Sequence, residues 1–302
     1  DPSLNISSNV SVLDGAQLTD GGEKYVPDAL RGESGLTISD LLGNGKVVRV
    51  DMRGFGDSAP SNILVLVDGR RANQIDLSGA DWVGMDTGSI KRVEVARGPQ
   101  SVLYGDNAFA GVVNVITKDG VGKKPGIELN YDVGSYRYSS WRGYVEGGSD
   151  FLDYFGMLSR SYNNGYRINS HLETEDLDSS ITIKPDDHFN MRASAAYHKD
   201  WYGLPGALKP VDINDIGRTG SISPNNRAKT EDYYYMLTPE AIGDFGCGEM
   251  TVSGDFIFRS RRTSAIYYST WGDLSNIHHI NTIGLTPKAA FIAEFLGMKN
   301  RL

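Results

Sequence analysis

Residues 90–118 read IKRVEVARGPQSVLYGDNAFAGVVNVITK. From Ile90 to Ala96 apolar and polar side chains alternate, the period of a strand with one buried face. That strand cannot run past Arg97-Gly98-Pro99, because Gly98 lets the backbone turn and Pro99 has no N–H with which to continue a ladder. Leu103–Ala110 leads into a further strand, Gly111–Thr117 (GVVNVIT). Gly105 and Gly111 flank a short helix-like or turn segment, and two readings stand beside each other: simple turn formers, or points of close backbone approach to a wall.

Upstream, Ile63–Asp68 (ILVLVD) is a continuous apolar run suited to a strand buried on both faces. The chain up to Lys118 therefore reads as a mixed α and β domain of ordinary size, closed by the glycine-rich, basic stretch 119–126 (DGVGKKPG). The whole sequence has 302 residues, room for about two domains. Its net charge of -8 comes from 30 Lys+Arg against 38 Asp+Glu without a basic stripe, which argues against nucleic-acid binding. No run of about 18 apolar residues is present, so helical membrane spans are excluded. With 36 Gly, and 16 Tyr against 10 Phe, the composition favours tight turns and amphipathic aromatic surfaces. The single Cys247 cannot form an intrachain disulfide, and DPSLNISSNV at the N-terminus lacks both a charged n-region and an apolar h-region. A mature or partial chain is the expectation.

Beyond residue 126 the period becomes 2. Ile127, Leu129, Tyr131 and Val133 alternate with Glu128, Asn130 and Asp132, and the pattern returns around Phe189–Tyr197, Tyr233–Leu237, Val252–Phe258 and Ala289–Phe295. The segment Phe151–Tyr162 alternates poorly, and its faces stay unassigned. Connections at 147–150, 184–188, 243–249 and 297–300 are short, whereas those at 163–170, about 202–228 and about 263–285 are long. Short turns at one end and long loops at the other suit a transmembrane β-barrel, although the connection at 135–139 is short as well. A soluble antiparallel sandwich or barrel alternates with the same period. Tyr131, Trp141, Phe189, Trp201 and Tyr233 near segment ends favour the membrane reading, since aromatic girdles belong there.

The stretch 90–118, together with VRVDMRGFGD (48–57) and NILVLVDGRRAN (62–73), resembles the plug domain of TonB-dependent outer-membrane receptors. Three blocks match in order and spacing over about the first 120 residues. The resemblance implies an α+β plug domain (1–121), a linker (122–126) and the N-terminal part of an antiparallel transmembrane β-barrel (127–302) of about 22 strands. At about ten residues per strand plus connections, the residues after the linker make eight strands and the start of a ninth. A barrel that small is filled by its own side chains, so the chain is expected to be an N-terminal fragment or one half of a split receptor. The resemblance also implies TonB with ExbB and ExbD as partners, outer-membrane lipid around the barrel and no nucleic acid. The cargo it suggests is a ferric siderophore, with cobalamin, haem or a glycan as alternatives. TonB would pull the plug, because the outer membrane holds no gradient of its own. No TonB-binding box is recognisable in Asp1–Asn9.

Carried onto this chain, the resemblance makes Arg53 and Arg97 one half of an ionic lock with barrel glutamates; bridging of local backbone carbonyls by both arginines is the alternative reading. Glu94 is a candidate partner for either arginine, and Gly98, Pro99, Gly105 and Gly111 belong to the same motif. Plug apices facing the ligand are expected at Arg53, Phe55 and Asp57 and at Asp81-Trp82; Tyr202, Tyr267, Tyr268, Trp271, His278 and His279 are outer-loop candidates. Asp200, Asp212 and Asp215 could hold calcium in the long loop, with a solvated acidic loop as the default reading. No metal site is assigned, no cofactor is expected, and no GxSxG, HExxH or GxxxxGK[ST] motif is present, so an enzyme is not expected. For the polypeptide isolated from outer membranes, an intact mass near twice 33.0 kDa would mark this chain as part of a full receptor; a mass near 33.0 kDa would point to a split receptor with a partner chain or to a small barrel.

Overall fold

A computed structural model describes residues 9–20, 22, 24–75, 78–244, 248–295 and 298–301. The first part builds one five-stranded sheet and one hairpin. β1 (Asn9–Asp14) leads through helices α1 (Gly15–Asp20) and α2 (Val26–Leu30) to the antiparallel pair β2 (Leu36–Asp40) and β3 (Val48–Met52). β4 (Ile63–Val67), β5 (Arg70–Arg71), β6 (Ile90–Arg97), the short α3 (Ser101–Tyr104) and β7 (Gly111–Thr117) follow. The sheet order is β1-β6-β7-β4-β5, antiparallel except for the β4–β7 pair. Ile63, Leu64, Val65 and Leu66 are all buried, as a run without alternation requires. The alternating β6 instead sends Val93 and Val95 into a core with Leu18, Leu30, Met52 and Trp82, while Lys91 stays outside.

The remainder forms a second sheet of nine antiparallel strands in sequence order. They are β8 (Gly126–Gly134), β9 (Tyr138–Gly148), β10 (Leu152–Asn163), β11 (Leu172–Asp186), β12 (Phe189–Gly203), β13 (Arg227–Asp244), β14 (Gly248–Tyr267), β15 (Leu274–Phe295) and β16 (Met298–Arg301). Eight full strands and a four-residue ninth match the expected count. Of the turns expected around 243–249 and 297–300, residues 245–247, Cys247 among them, and 297 lie outside those described, while Met298–Asn300 belong to β16 rather than to a turn. The long connection between β12 and β13 carries helix α4 (Pro210–Ile216). The loop expected over about 263–285 is shorter than its composition suggests: β14 and β15 stay paired as far as Tyr267↔Leu274, so His278 and His279 lie in a strand. Adjacent strand residues point to opposite faces, and the two imidazoles therefore diverge.

One face of this sheet is apolar and the other packs on the plug. Ile127, Leu129, Tyr131, Val133, Leu158, Ile181, Tyr235, Leu237, Phe256 and Phe258 are exposed on the outer face. The faces of β10, illegible in sequence, separate cleanly: Asp153, Phe155, Met157 and Ser159 are buried inward, and Leu158 points out. Phe155 and Met157 pack inward beside Tyr144, so both faces of β10 carry apolar side chains and the alternation is masked.

Close approach between the two parts occurs at glycines other than those singled out by the motif. A Cβ on Gly111 would meet Ala96 O and the Met52 sulfur at 2.5 Å, which is packing inside the plug, and one on Gly105 would meet open space. The wall is approached at Gly88, where a Cβ would lie 2.1 Å from Tyr144 Oη, and at Gly120, 2.1 Å from Tyr154 O. Gly120 also has φ +74°, so both space and backbone select glycine. Gly120→Ala is expected to loosen the seating of residues 118–125 on β9 and β10 by about 1–3 kcal/mol, seen as faster amide exchange there. Trp82→Ala, which opens the plug core, should cost about 3–5 kcal/mol, read as a lower unfolding temperature of the plug.

Candidate functional site

The seam between plug and inner wall is polar, and two plug loops reach across it. In the first, Asp40 accepts backbone N–H bonds from Leu42 (3.1 Å), Gly43 (2.8 Å) and Gly45 (2.8 Å), which folds DLLGNGK into a tight turn and projects Lys46 outward from the plug. In the second, Asp86 accepts from Gly88 N at 2.7 Å, and Trp82 anchors the loop in the core. Lys46 Nζ donates to Asp81 Oδ2 at 2.6 Å and pairs with Asp200 of β12. The same Asp81 oxygen accepts from Arg261 Nη2 of β14 at 2.6 Å. Side-chain exposure is only 5% at Lys46 and 7% at Asp81.

On the wall, these contacts join a single lateral row of the sheet. The register pairs Arg142 with Ser159, Ser159 with Asp176, Asp176 with His198, His198 with Asp232 and Asp232 with Arg261. Arg261 donates to Asp232 at 3.1 Å, and Arg259 donates to it through Nε at 2.9 Å. His198 faces Asp176 through Nδ1 at 2.6 Å and Asp200 through Nε2 at 2.9 Å. With a carboxylate at each ring nitrogen, both nitrogens act as donors and the ring is an imidazolium. Ser159 Oγ donates to plug Asp86 at 3.0 Å and lies 3.3 Å from Asp176; Arg142 sits 3.7 Å from Asp86 and pairs with Asp132. An ionic belt thus spans β8 to β14, with Asp86, Lys46 and Asp81 of the plug set into it.

Burial alone would lower the Lys46 ammonium pKa, but Asp200 and Asp81 outweigh it and hold the value above the ordinary one. Burial would likewise raise Asp81, yet Lys46 and Arg261 keep its carboxyl well below the usual range. Asp86 is pushed up by burial and by Asp176, against the pull of Arg142. The donor atoms of Asp81, His198 and Asp200 lie within 4.8 Å of one another. Lys46 and Arg261 already neutralise that cluster, so it is an ion-pair site. Beside the belt, a cavity of about 90 Å³ separates the plug sheet from the wall, and the Arg70 guanidinium stacks 3.6 Å above the Tyr234 ring at its edge.

Several sequence candidates fall elsewhere than expected. Asp81 and Trp82 do not face a ligand: Trp82 is 3% exposed in the plug core, and Asp81 is bound into the belt. Tyr202 belongs to β12 rather than to an outer loop, and it is buried with Val83, Leu172 and Ala228. Glu94 does not pair with Arg53 or Arg97. It takes Arg92 at 2.7 Å and Asn114 at 3.1 Å, because residues 94 and 97 point to opposite faces of β6. Arg97 donates to Ser34 O at 2.9 Å and pairs with Glu33 inside the plug at 2.5 Å. Arg53 adopts φ 69°, and its guanidinium lies 3.5 Å from where a Gly98 Cβ would be, so the RGFG and RGP blocks do come together. Asp51 shapes that apex by accepting from Phe55 N (2.9 Å) and Gly56 N (2.8 Å). There Phe55 meets Phe109 edge-on at 5.9 Å, and the Asp57 side chain is fully exposed beside Arg49.

Trp271, 97% exposed, lies in the β14–β15 loop, with Tyr267 at the end of β14 and Tyr268 bonded by Arg227 at 3.1 Å. Asp200, Asp212 and Asp215 do not form one acidic cluster among the described residues: Asp200 is buried in the belt, and Asp212 accepts from Lys209 N in α4 at 2.7 Å. The belt residues Lys46, Asp86, Asp176, His198 and Arg261 were not singled out in the sequence. Their only signal there is a charge at an inward strand position, and it becomes a row only once the register is known.

Comparison with known proteins agrees with this architecture. Residues 2–112 match the TonB-dependent Receptor Plug Domain family. The vitamin B12 transporter BtuB of Vibrio vulnificus (strain CMCP6) is 28% identical over 207 residues, covering 65% of this chain and 33% of the transporter. The ferric citrate transporter FecA in its unliganded form superposes with a TM-score of 0.81 at 19% identity, over 96% of this chain and 45% of that one. The ferric yersiniabactin uptake receptor FyuA from Yersinia pestis gives 0.77 at 18% identity, over 95% and 46%. The chain thus spans about a third of the curated relative and less than half of either solved receptor. Residues 2–112 thus match the TonB-dependent receptor plug domain, and the strands that follow share the fold of those receptors.

Proposed function

We propose that this chain serves TonB-dependent import of a scarce nutrient complex across the outer membrane of a Gram-negative bacterium. The observation that carries the reading is the seating of the plug: a folded α+β domain is held by a buried ionic belt against the polar inner face of a sheet whose outer face is apolar. An apolar outer face with a polar interior is what lipid outside and a lumen inside demand. TonB, energised through ExbB and ExbD, is the partner that would pull such a plug.

A ferric siderophore is the first-choice cargo, in keeping with the solved receptors of similar fold. Cobalamin is the second reading, favoured by the 28% identity to a vitamin B12 transporter. The ligand-facing part of the plug is the Arg53–Asp57 apex, where Phe55 and Phe109 offer an aromatic edge and Arg53 and Asp57 offer charge. Trp271 is the outer-loop contact in this reading.

Uptake of iron-labelled siderophores and of labelled cobalamin by cells carrying the receptor, with and without functional TonB, tests the proposal. Accumulation of one class that is lost without TonB is the expected result, and TonB-independent leakage or no accumulation of any class would refute it. Phe55→Ala combined with Asp57→Asn should weaken ligand binding about tenfold, measured by tryptophan fluorescence titration, while lowering plug stability less than Trp82→Ala does, since Phe55 only flanks the core.

A further inference from the structure

Around Lys46 each surface carries its own counter-charges, whereas plug Asp86 meets a cation only across the seam, at Arg142. Lys46 and Asp81 both belong to the plug, lie 2.6 Å apart and leave together when the plug moves. On the wall, Asp200 keeps His198 at 2.9 Å and the Thr230 N–H at 3.0 Å, and Arg261 keeps Asp232 at 3.1 Å. The wall's four cations, Arg142, His198, Arg259 and Arg261, stand against four carboxylates, Asp132, Asp176, Asp200 and Asp232. The two pairs that cross the seam at Lys46, Lys46–Asp200 and Arg261–Asp81, therefore form between partners already balanced on their own sides. Away from the belt, Arg192 reaches plug Asp68 only at 3.8 Å, and Asp68 already accepts from the Thr117 hydroxyl at 2.6 Å.

We infer that Lys46 is a positioning residue that registers the plug on the wall, and that its cluster is a slip surface: displacement gives up the two seam-crossing pairs and leaves Lys46, Asp81, Asp200 and Arg261 each with a partner on its own side. A one-sided lock behaves differently, since parting it strands a buried charge. The inference rests on the import reading for its purpose, but its test does not.

Hydrogen–deuterium exchange of plug residues 81–90 is measured on the purified intact receptor without cargo or TonB. Lys46→Met and Asp81→Asn each unbalance the seated cluster by one charge, and each should raise opening at least about tenfold. The double variant removes a whole plug pair and should stay within about threefold of the unmodified receptor. A double variant as open as the more open single, or more so, would overturn the slip surface in favour of a lock. Heat-modifiable gel mobility establishes that the barrel is folded in every variant, and Lys46→Gln with Asp81→Asn repeats the comparison if Met at position 46 prevents folding. Because no transport is measured, failure of uptake leaves this result standing, and normal uptake with lock-like exchange overturns only the slip surface.

Discussion

Lys46 and Asp81 are buried between two protein surfaces, and charges in such a place persist only when they are paired with good geometry. That requirement organises the seam. It fixes the Asp40 turn that projects Lys46, the loop that brings Asp81 down beside it, and the choice of charged residues along one lateral row of the wall. Because His198 stands between two carboxylates and Asp232 between two arginines, the wall presents alternating sign along the belt. The plug can meet that pattern in one register, and its loops carry the matching charges.

The apolar parts serve this seam. Trp82, adjacent in sequence to Asp81, is sunk into the plug core and fixes the backbone from which the carboxylate projects. Gly84, Gly88 and Gly120 let plug backbone lie against His198, Tyr144 and Tyr154 at distances that any Cβ would violate or crowd. Close backbone contact excludes water, and exclusion of water strengthens each ion pair in the belt. Apolar packing, glycine placement and charge pairing are thus one arrangement viewed at three scales.

The same arrangement explains why the motif arginines need not hold the plug to this part of the wall. Arg97 ties Glu33 and Ser34, next to α2, to the end of β6, a contact that stiffens the plug itself. Arg53 packs beside Gly98 and shapes the apex together with the Asp51 turn. The plug is therefore rigid at its motif and is registered on these strands through Lys46 and Asp81.

The sequence by itself determined the two-part division, the strand buried on both faces at Ile63–Val67, the number of strands in the second part and the apolar face of that sheet. These rest on local period and on turn residues, which neighbouring side chains encode directly. It left the faces of β10 unassigned, because Phe155 and Met157 pack inward beside Tyr144 and erase the alternation. It placed Asp81, Trp82 and Tyr202 at ligand-facing surfaces, since a charged or aromatic residue near a glycine loop looks alike whether it is exposed or buried against another domain. Only the tertiary structure decided the belt: Lys46 and Asp200 are 154 residues apart, and Asp81 and Arg261 are 180 apart. Which charges meet depends on the lateral register of seven strands and on where the plug seats against them, and neither quantity is written in any local stretch of the chain.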